Sequence, residues 1–201
     1  MTLPELRDSQ EPETSRWADA ALVIGVFVGL LWVLEIVDTI VGHRLDRLGI
    51  EPREADGLWG ILFAPLLHAD FAHLAANTVP ALVLGFLIML SGGPVWARAT
   101  GIIWVVGGVG TWLTGGANTL HLGASVLIFG WLVFLVLRGF FNRKALQILV
   151  GLGVLLVYGG VLWGVLPSTP GVSWQGHLFG AIGGGLAAFW MAEREQRDRT
   201  V

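Results

Sequence analysis

The chain contains no cysteine and a single tyrosine, and only 13% of its 201 residues are charged. Without cysteine, a disulfide framework and a thiolate metal centre are both excluded. Soluble domains carry about 25% charged residues, so this shortage argues against an ordinary soluble fold. The few charges are also segregated: between Gly57 and Trp190 there are only Asp70, Arg98, Arg138, Arg143 and Lys144. A net charge of −3, with scattered basic residues, leaves no electrostatic footprint for nucleic acid. The first 16 residues are polar and acidic and lack a basic n-region, which predicts no cleaved signal peptide. A compact chain of this kind is expected in a prokaryotic plasma membrane, with an organelle membrane as the alternative.

What fills the space is apolar: 54% of the residues are hydrophobic, and 29 are glycine. A membrane-spanning helix needs about 20 apolar residues. Six stretches qualify, roughly 18–41, 71–91, 95–114, 122–141, 145–165 and 173–192. They predict one all-α polytopic membrane domain over 18–192, between tails at 1–17 and 193–201. Turn chemistry separates the stretches at Ser91-Gly92-Gly93-Pro94 and Thr114-Gly115-Gly116-Ala117-Asn118. Arg138 to Lys144 forms a basic hinge, and Pro167 to Gly171 cannot continue a helix. The longest connection, Gly42 to Asp70, includes Leu58-Trp59-Gly60-Ile61-Leu62-Phe63, whose tryptophan suits the membrane interface.

Basic residues set the expected orientation. With the N-terminus cytoplasmic, Arg7, Arg16, Arg98, Arg138, Arg143, Lys144, Arg194, Arg197 and Arg199 lie inside, and only Arg44, Arg47 and Arg53 lie outside. The second, fourth and sixth stretches then run from outside to inside and begin at the same surface. His73 and Asn77 fall in the first two turns of the second, Ser125 in the first turn of the fourth, and His177 near the start of the sixth. At 1.5 Å rise per residue, all four lie within roughly 10 Å of one depth.

Each has a structural alternative. A serine in a membrane helix commonly bonds the carbonyl one turn back. His73 and Asn77 share a helix face and could serve as interfacial anchors. A histidine in a span is costly without a purpose, which favours a functional role for His177. His43 and His121 read as loop histidines and His68 as structural, while Glu35 and Asp38 face the interface or a neighbouring helix. Other chemistries lack their residues. Leu127 occupies the last position of what would be a Gly-x-Ser-x-Gly elbow, there is no His-Glu-x-x-His, and a pair of close carboxylates is missing from the later spans. No metal and no cofactor is expected. Many glycines read as packing positions, Gly180 and Gly184 forming a small-xxx-small face. An internal repeat of the transporter kind is not apparent.

Three segments together resemble the rhomboid family of intramembrane serine proteases: His68-x-x-x-x-His73-x-x-x-Asn77, Gly123-Ala124-Ser125, and His177-x-x-Gly180-x-x-x-Gly184. The resemblance covers roughly 18–192 and implies a six-helix bundle with a water-filled cavity open to the outside. It implies Ser125 as nucleophile and His177 as general base, with no required third acid. His73, Asn77 and the Ser125 backbone N–H would form the oxyanion hole. Gly180 and Gly184 would let the sixth helix approach the fourth, and Phe129 would pack on the imidazole where the family often has tyrosine. The implied partners are transmembrane protein substrates and the lipid bilayer. Two positions depart from the family pattern. Val126 stands where glycine often follows the serine, and Trp59-Gly60 replaces a Trp-Arg pair whose arginine would brace the first loop. Those departures leave a second expectation, a catalytically silent relative that binds transmembrane segments. A channel using His177 as a proton site is a third, without a continuous polar helix face to support it.

Overall fold

The structure is a computed structural model that describes residues 13–167 and 171–197. Most of the two terminal tails and part of the Pro167–Gly171 break therefore lie outside the described residues. The described chain is helical, and its β pairing is one isolated bridge between Ile50 and His121. Seven α-helices follow in order: α1 (Glu13–Ile40), a short α2 (Trp59–Phe63), α3 (Phe71–Met89), α4 (Gly93–Thr114), α5 (Ser125–Asn142), α6 (Ala145–Tyr158) and α7 (Trp174–Arg197).

Long helices α1, α3, α4, α5, α6 and α7 correspond to the six apolar stretches, with shifted ends. α1 begins at Glu13, ahead of the apolar run, because polar residues that cannot enter a bilayer still continue a helix. α5 begins only at Ser125, since Gly123 at φ +123° breaks the helix before it. α6 stops at Tyr158, where Gly159-Gly160 tightens the chain into a 3-10 helix over Gly159–Val165.

Among the described residues, four segments are long and apolar enough to cross a membrane: Ser15–Ile40, Phe71–Met89, Ser125–Asn142 and Ala145–Val165. α4 and α7 have the length, at 22 and 24 residues, but their apolar character is diluted by glycine, threonine and polar residues. That dilution has a packing reason. α7 lies chiefly against α5 and α4, so its small residues meet protein.

α5 is the hub. Val126 to Leu132, then Phe134 and Leu135, are buried in an almost unbroken run, the signature of a helix surrounded on all sides. Trp131 and Phe134 are fully enclosed, and the Trp131 indole N–H donates to Thr100 Oγ1 at 3.0 Å. α1 contributes a single inward stripe of Ala20, Ile24, Val28, Leu31, Glu35 and Asp38. Its other face exposes Leu22, Val26, Leu30 and Val33, apolar surface suited to lipid.

The long first loop folds into short helical turns around α2. Trp59 and Leu62 of α2 are exposed. Gly60 packs so closely on the Gly49 carbonyl that a side chain there would overlap backbone. The brace comes from elsewhere in the loop. Arg53 Nη1 donates to the Gly115 carbonyl at 2.7 Å, and its backbone N–H donates to Trp112 O at 3.1 Å.

Candidate active site

Ser125 is the first residue of α5, so its N–H has no intrahelical acceptor. The approach to it is held in place by three contacts. Gly123 N–H donates to Ala64 O at 2.8 Å, and Ala124 N–H donates to His68 Nε2 at 3.3 Å. Gly123 also backs onto His73: a Cβ there would stand 2.7 Å from His73 Cε1, on a backbone already at φ +123°. Glycine is therefore required twice over, by conformation and by space.

His177 enters from the first turn of α7. Its Nε2 stands 2.9 Å from Ser125 Oγ, and its Nδ1 stands 2.9 Å from the carbonyl of Gly164. A carbonyl can only accept, so Nδ1 carries the proton and the neutral ring presents the Nε2 lone pair to the serine hydroxyl. Phe129, one turn along α5 from Ser125, stacks on the imidazole with centroids 4.0 Å apart and planes 8° from parallel. The ring is thus fixed by a hydrogen bond at one edge and by an aromatic plane on one face. Gly164 lies in the 3-10 turn after α6, and no motif marks its role in the sequence.

Close approach of α7 to α5 makes the pair possible. A Cβ on Gly180 would overlap the Val126 carbonyl, and one on Gly184 would overlap that of Gly130. Val126 does not crowd this contact. Its side chain turns toward α4, where Gly107 leaves the room for Cγ2. The valine is accommodated by a glycine on a third helix.

His73 and Asn77 line one cavity of about 1030 Å³ together with Ser125, Phe129, Gly164 and His177. Asp70 caps α3, its carboxylate accepting from the His73 N–H at 2.7 Å. Asn77 is buried, and its Nδ2 has no hydrogen-bond partner. A buried amide donor without an acceptor is unusual, and this one borders the space beside Ser125.

His68 is 1% exposed, and burial with His73 alongside pushes its imidazole down to about 3. It is a neutral acceptor for Ala124 and belongs to the scaffold. His121 is more than a loop histidine. It is buried, with Nε2 2.8 Å from Thr119 Oγ1 and Nδ1 2.7 Å from Ser173 Oγ. Ser173 Oγ in turn accepts from Gly176 N–H at 3.3 Å, so His121 ties the segment before α5 to the start of α7. Burial pushes the His121 imidazole below its ordinary range.

The Rhomboid domain profile matches residues 55–194, which contain every residue of this arrangement. The chain belongs to the rhomboid family. Relatives extend the match. An uncharacterized protein of Mycobacterium tuberculosis is 48% identical over 206 residues, covering 98% of this chain and 86% of its own. A Mycobacterium leprae protein, also uncharacterized, is 46% identical over 214 residues, covering 100% of this chain and 85% of its own. A Bacillus subtilis protein provisionally named a rhomboid protease is 34% identical over 173 residues, 80% of this chain and 77% of its own. No solved structure matches the chain significantly. This rhomboid is a membrane protein of a family of intramembrane proteases.

Proposed function

We propose that this rhomboid is an intramembrane serine endopeptidase working through a Ser125–His177 dyad. The single observation that carries the reading is the paired geometry of His177: Nδ1–H given to the Gly164 carbonyl, Nε2 left free at 2.9 Å from Ser125 Oγ. That is the tautomer and reach a general base needs.

In the proposed reaction Ser125 Oγ attacks a peptide carbonyl as His177 Nε2 takes the hydroxyl proton. The oxyanion that forms is met by the Ser125 N–H, Asn77 Nδ2 and His73. His177 returns the proton to the departing amine, leaving an acyl-enzyme on Ser125. A water then attacks the ester, with His177 again accepting the proton, and restores the serine. Irregular backbone at this depth is tolerable because it lines a cavity that water can fill.

Six spans, with α4 and α7 crossing alongside the four apolar ones, fit the proposal. Both termini are assigned to the cytoplasm by the distribution of basic residues. The cavity then opens outward, and the substrate is a single-pass or similarly anchored protein whose helix end unwinds into it. The host bilayer is assigned as a prokaryotic plasma membrane. The binding-only reading rested on Val126 and Gly60, and packing accounts for both. Co-expression with a panel of tagged single-pass proteins tests the proposal: cleavage of at least one that is lost in Ser125→Ala supports it, and cleavage that persists in purified Ser125→Ala protein refutes it.

A further inference from the structure

The end of α1 beside the cavity holds ionisable groups that the proposed reaction does not use. Glu35 and Asp38 continue the inward stripe of α1 and are 2% and 1% exposed. Neither carboxylate oxygen of Glu35 has a hydrogen-bond partner, and Asp38 Oδ2 has none. Beyond Ile40 the chain reverses through Gly42 and His43, both at positive φ, with the His43 N–H donating to Asp38 O at 2.8 Å. Asp38 Oδ1 accepts from the Leu45 N–H at 2.6 Å, which fixes the carboxylate. The reversal leaves His43 Nδ1 3.6 Å from Asp38 Oδ2 and 3.5 Å from Asp46 Oδ2.

One ligand atom from each of Asp38, His43 and Asp46 lies within 4.8 Å of the others. Around an ion bound at about 2.0–2.2 Å in tetrahedral geometry, neighbouring ligand atoms are roughly 3.3–3.6 Å apart. The His43 distances already have that spacing. Glu35 is one turn earlier on the same face of α1, within electrostatic reach of Asp46, Asp38 and His43. Three carboxylates so close to one another are mutually repulsive, and a buried carboxylate needs a cation or a set of donors. Asp46 adds to the conflict, its Oδ1 being buried with no hydrogen-bond partner.

We propose that Asp38, His43 and Asp46, with Glu35 as the supporting carboxylate, bind one divalent transition-metal ion, Zn²⁺ or Mn²⁺. The mixed donor set selects the class. Calcium and magnesium favour all-oxygen shells, whereas an imidazole nitrogen among carboxylates suits Mn²⁺ or Zn²⁺. Asp46 also lines the 1030 Å³ cavity, so the ion ties the end of α1 to the first loop at the cavity wall. No linear zinc motif marks these four residues, because the ligands come from a helix end and the loop that folds back on it.

The test uses full-length protein without a polyhistidine tag, stripped with a chelator in detergent and titrated calorimetrically with ZnCl₂, MnCl₂ and CaCl₂. One equivalent of Zn²⁺ or Mn²⁺ should bind, with Ca²⁺ about tenfold weaker or more. Asp38→Asn retains the acceptor for Leu45 and should weaken binding by about tenfold or more. Asp46→Asn, in the loop rather than on α1, should do the same. Wild-type protein without saturable Zn²⁺ or Mn²⁺ binding, or Asp46→Asn protein with unchanged affinity, overturns the site. The Ser125→Ala protein should bind metal as the wild type does, so this result is independent of the protease reading.

Discussion

Gly180 of α7 rests directly on the backbone carbonyl of Val126 in α5, and no side chain fits between them. Val126 follows Ser125, and Gly180 lies one turn after His177, so this contact sets how far the two functional groups stand apart. Gly180→Val must push α7 away. Because a 1 Å misplacement in a catalytic pair can cost on the order of 100-fold, proteolysis should fall by at least about that factor. Overpacking should also cost about 1–3 kcal/mol, read as a lower unfolding midpoint in detergent. Gly107→Val attacks the same junction from α4, by filling the space that Val126 Cγ2 occupies. It should destabilise comparably.

Asn77 offers an unpartnered buried donor at the cavity. Donors of this type stabilise the transition state by about 2.7–4 kcal/mol. Asn77→Ala should therefore reduce kcat about 100- to 1000-fold with little change in KM, measured with any substrate cleaved by the wild type. A comparable rise in KM with kcat unchanged would make Asn77 a substrate-binding residue instead.

His68 governs part of the acid sensitivity. Its folded value of about 3 lies below the 6.5 of a free imidazole. The unfolded chain then takes up a proton as pH falls through 6.5 while the folded chain does not. Stability from neutral His68 is complete above that value and declines as the medium is acidified. Between pH 7 and pH 5 the loss should be about 2 kcal/mol. His68→Gln retains an acceptor for Ala124 but cannot titrate, so its denaturation midpoint should fall less over this interval. His73, which packs edge-on against His68, remains in both proteins.

Arg53 holds the first loop to the end of α4 through the Gly115 carbonyl. Arg53→Ala should loosen that loop by about 1.5–3 kcal/mol, the range for a hydrogen bond from a charged donor, seen as faster amide exchange over residues 50–60. Placing an arginine at Gly60 should not rescue it, because a Cβ there meets the Gly49 backbone. Gly60→Arg should destabilise by itself.

The parts legible in the sequence were those governed by periodicity and by local motif. Six apolar stretches, the loop signals between them, and the convergence of His73, Asn77, Ser125 and His177 all follow from spacing and helix direction. Contacts between segments distant in the chain were not legible. Gly164 accepts from His177 across a 3-10 turn that only the tertiary fold assembles. His121 looks like any loop histidine until Ser173 is brought to it. The effect of Val126 was not legible either, because the sequence does not say which neighbour a side chain will face; Gly107 supplies the answer from a third helix. Six apolar stretches were expected as spans, whereas four segments among the described residues are long and apolar enough to cross a membrane; α4 and α7, packed on one another and on α5, are richer in glycine and polar residues.

The central claim is that His177 activates Ser125, and an activity-based fluorophosphonate probe tests it most directly. Wild-type protein in detergent or bilayers should be labelled on Ser125, and both Ser125→Ala and His177→Ala should abolish labelling. Undiminished labelling in His177→Ala, or none in folded wild-type protein, would contradict the account.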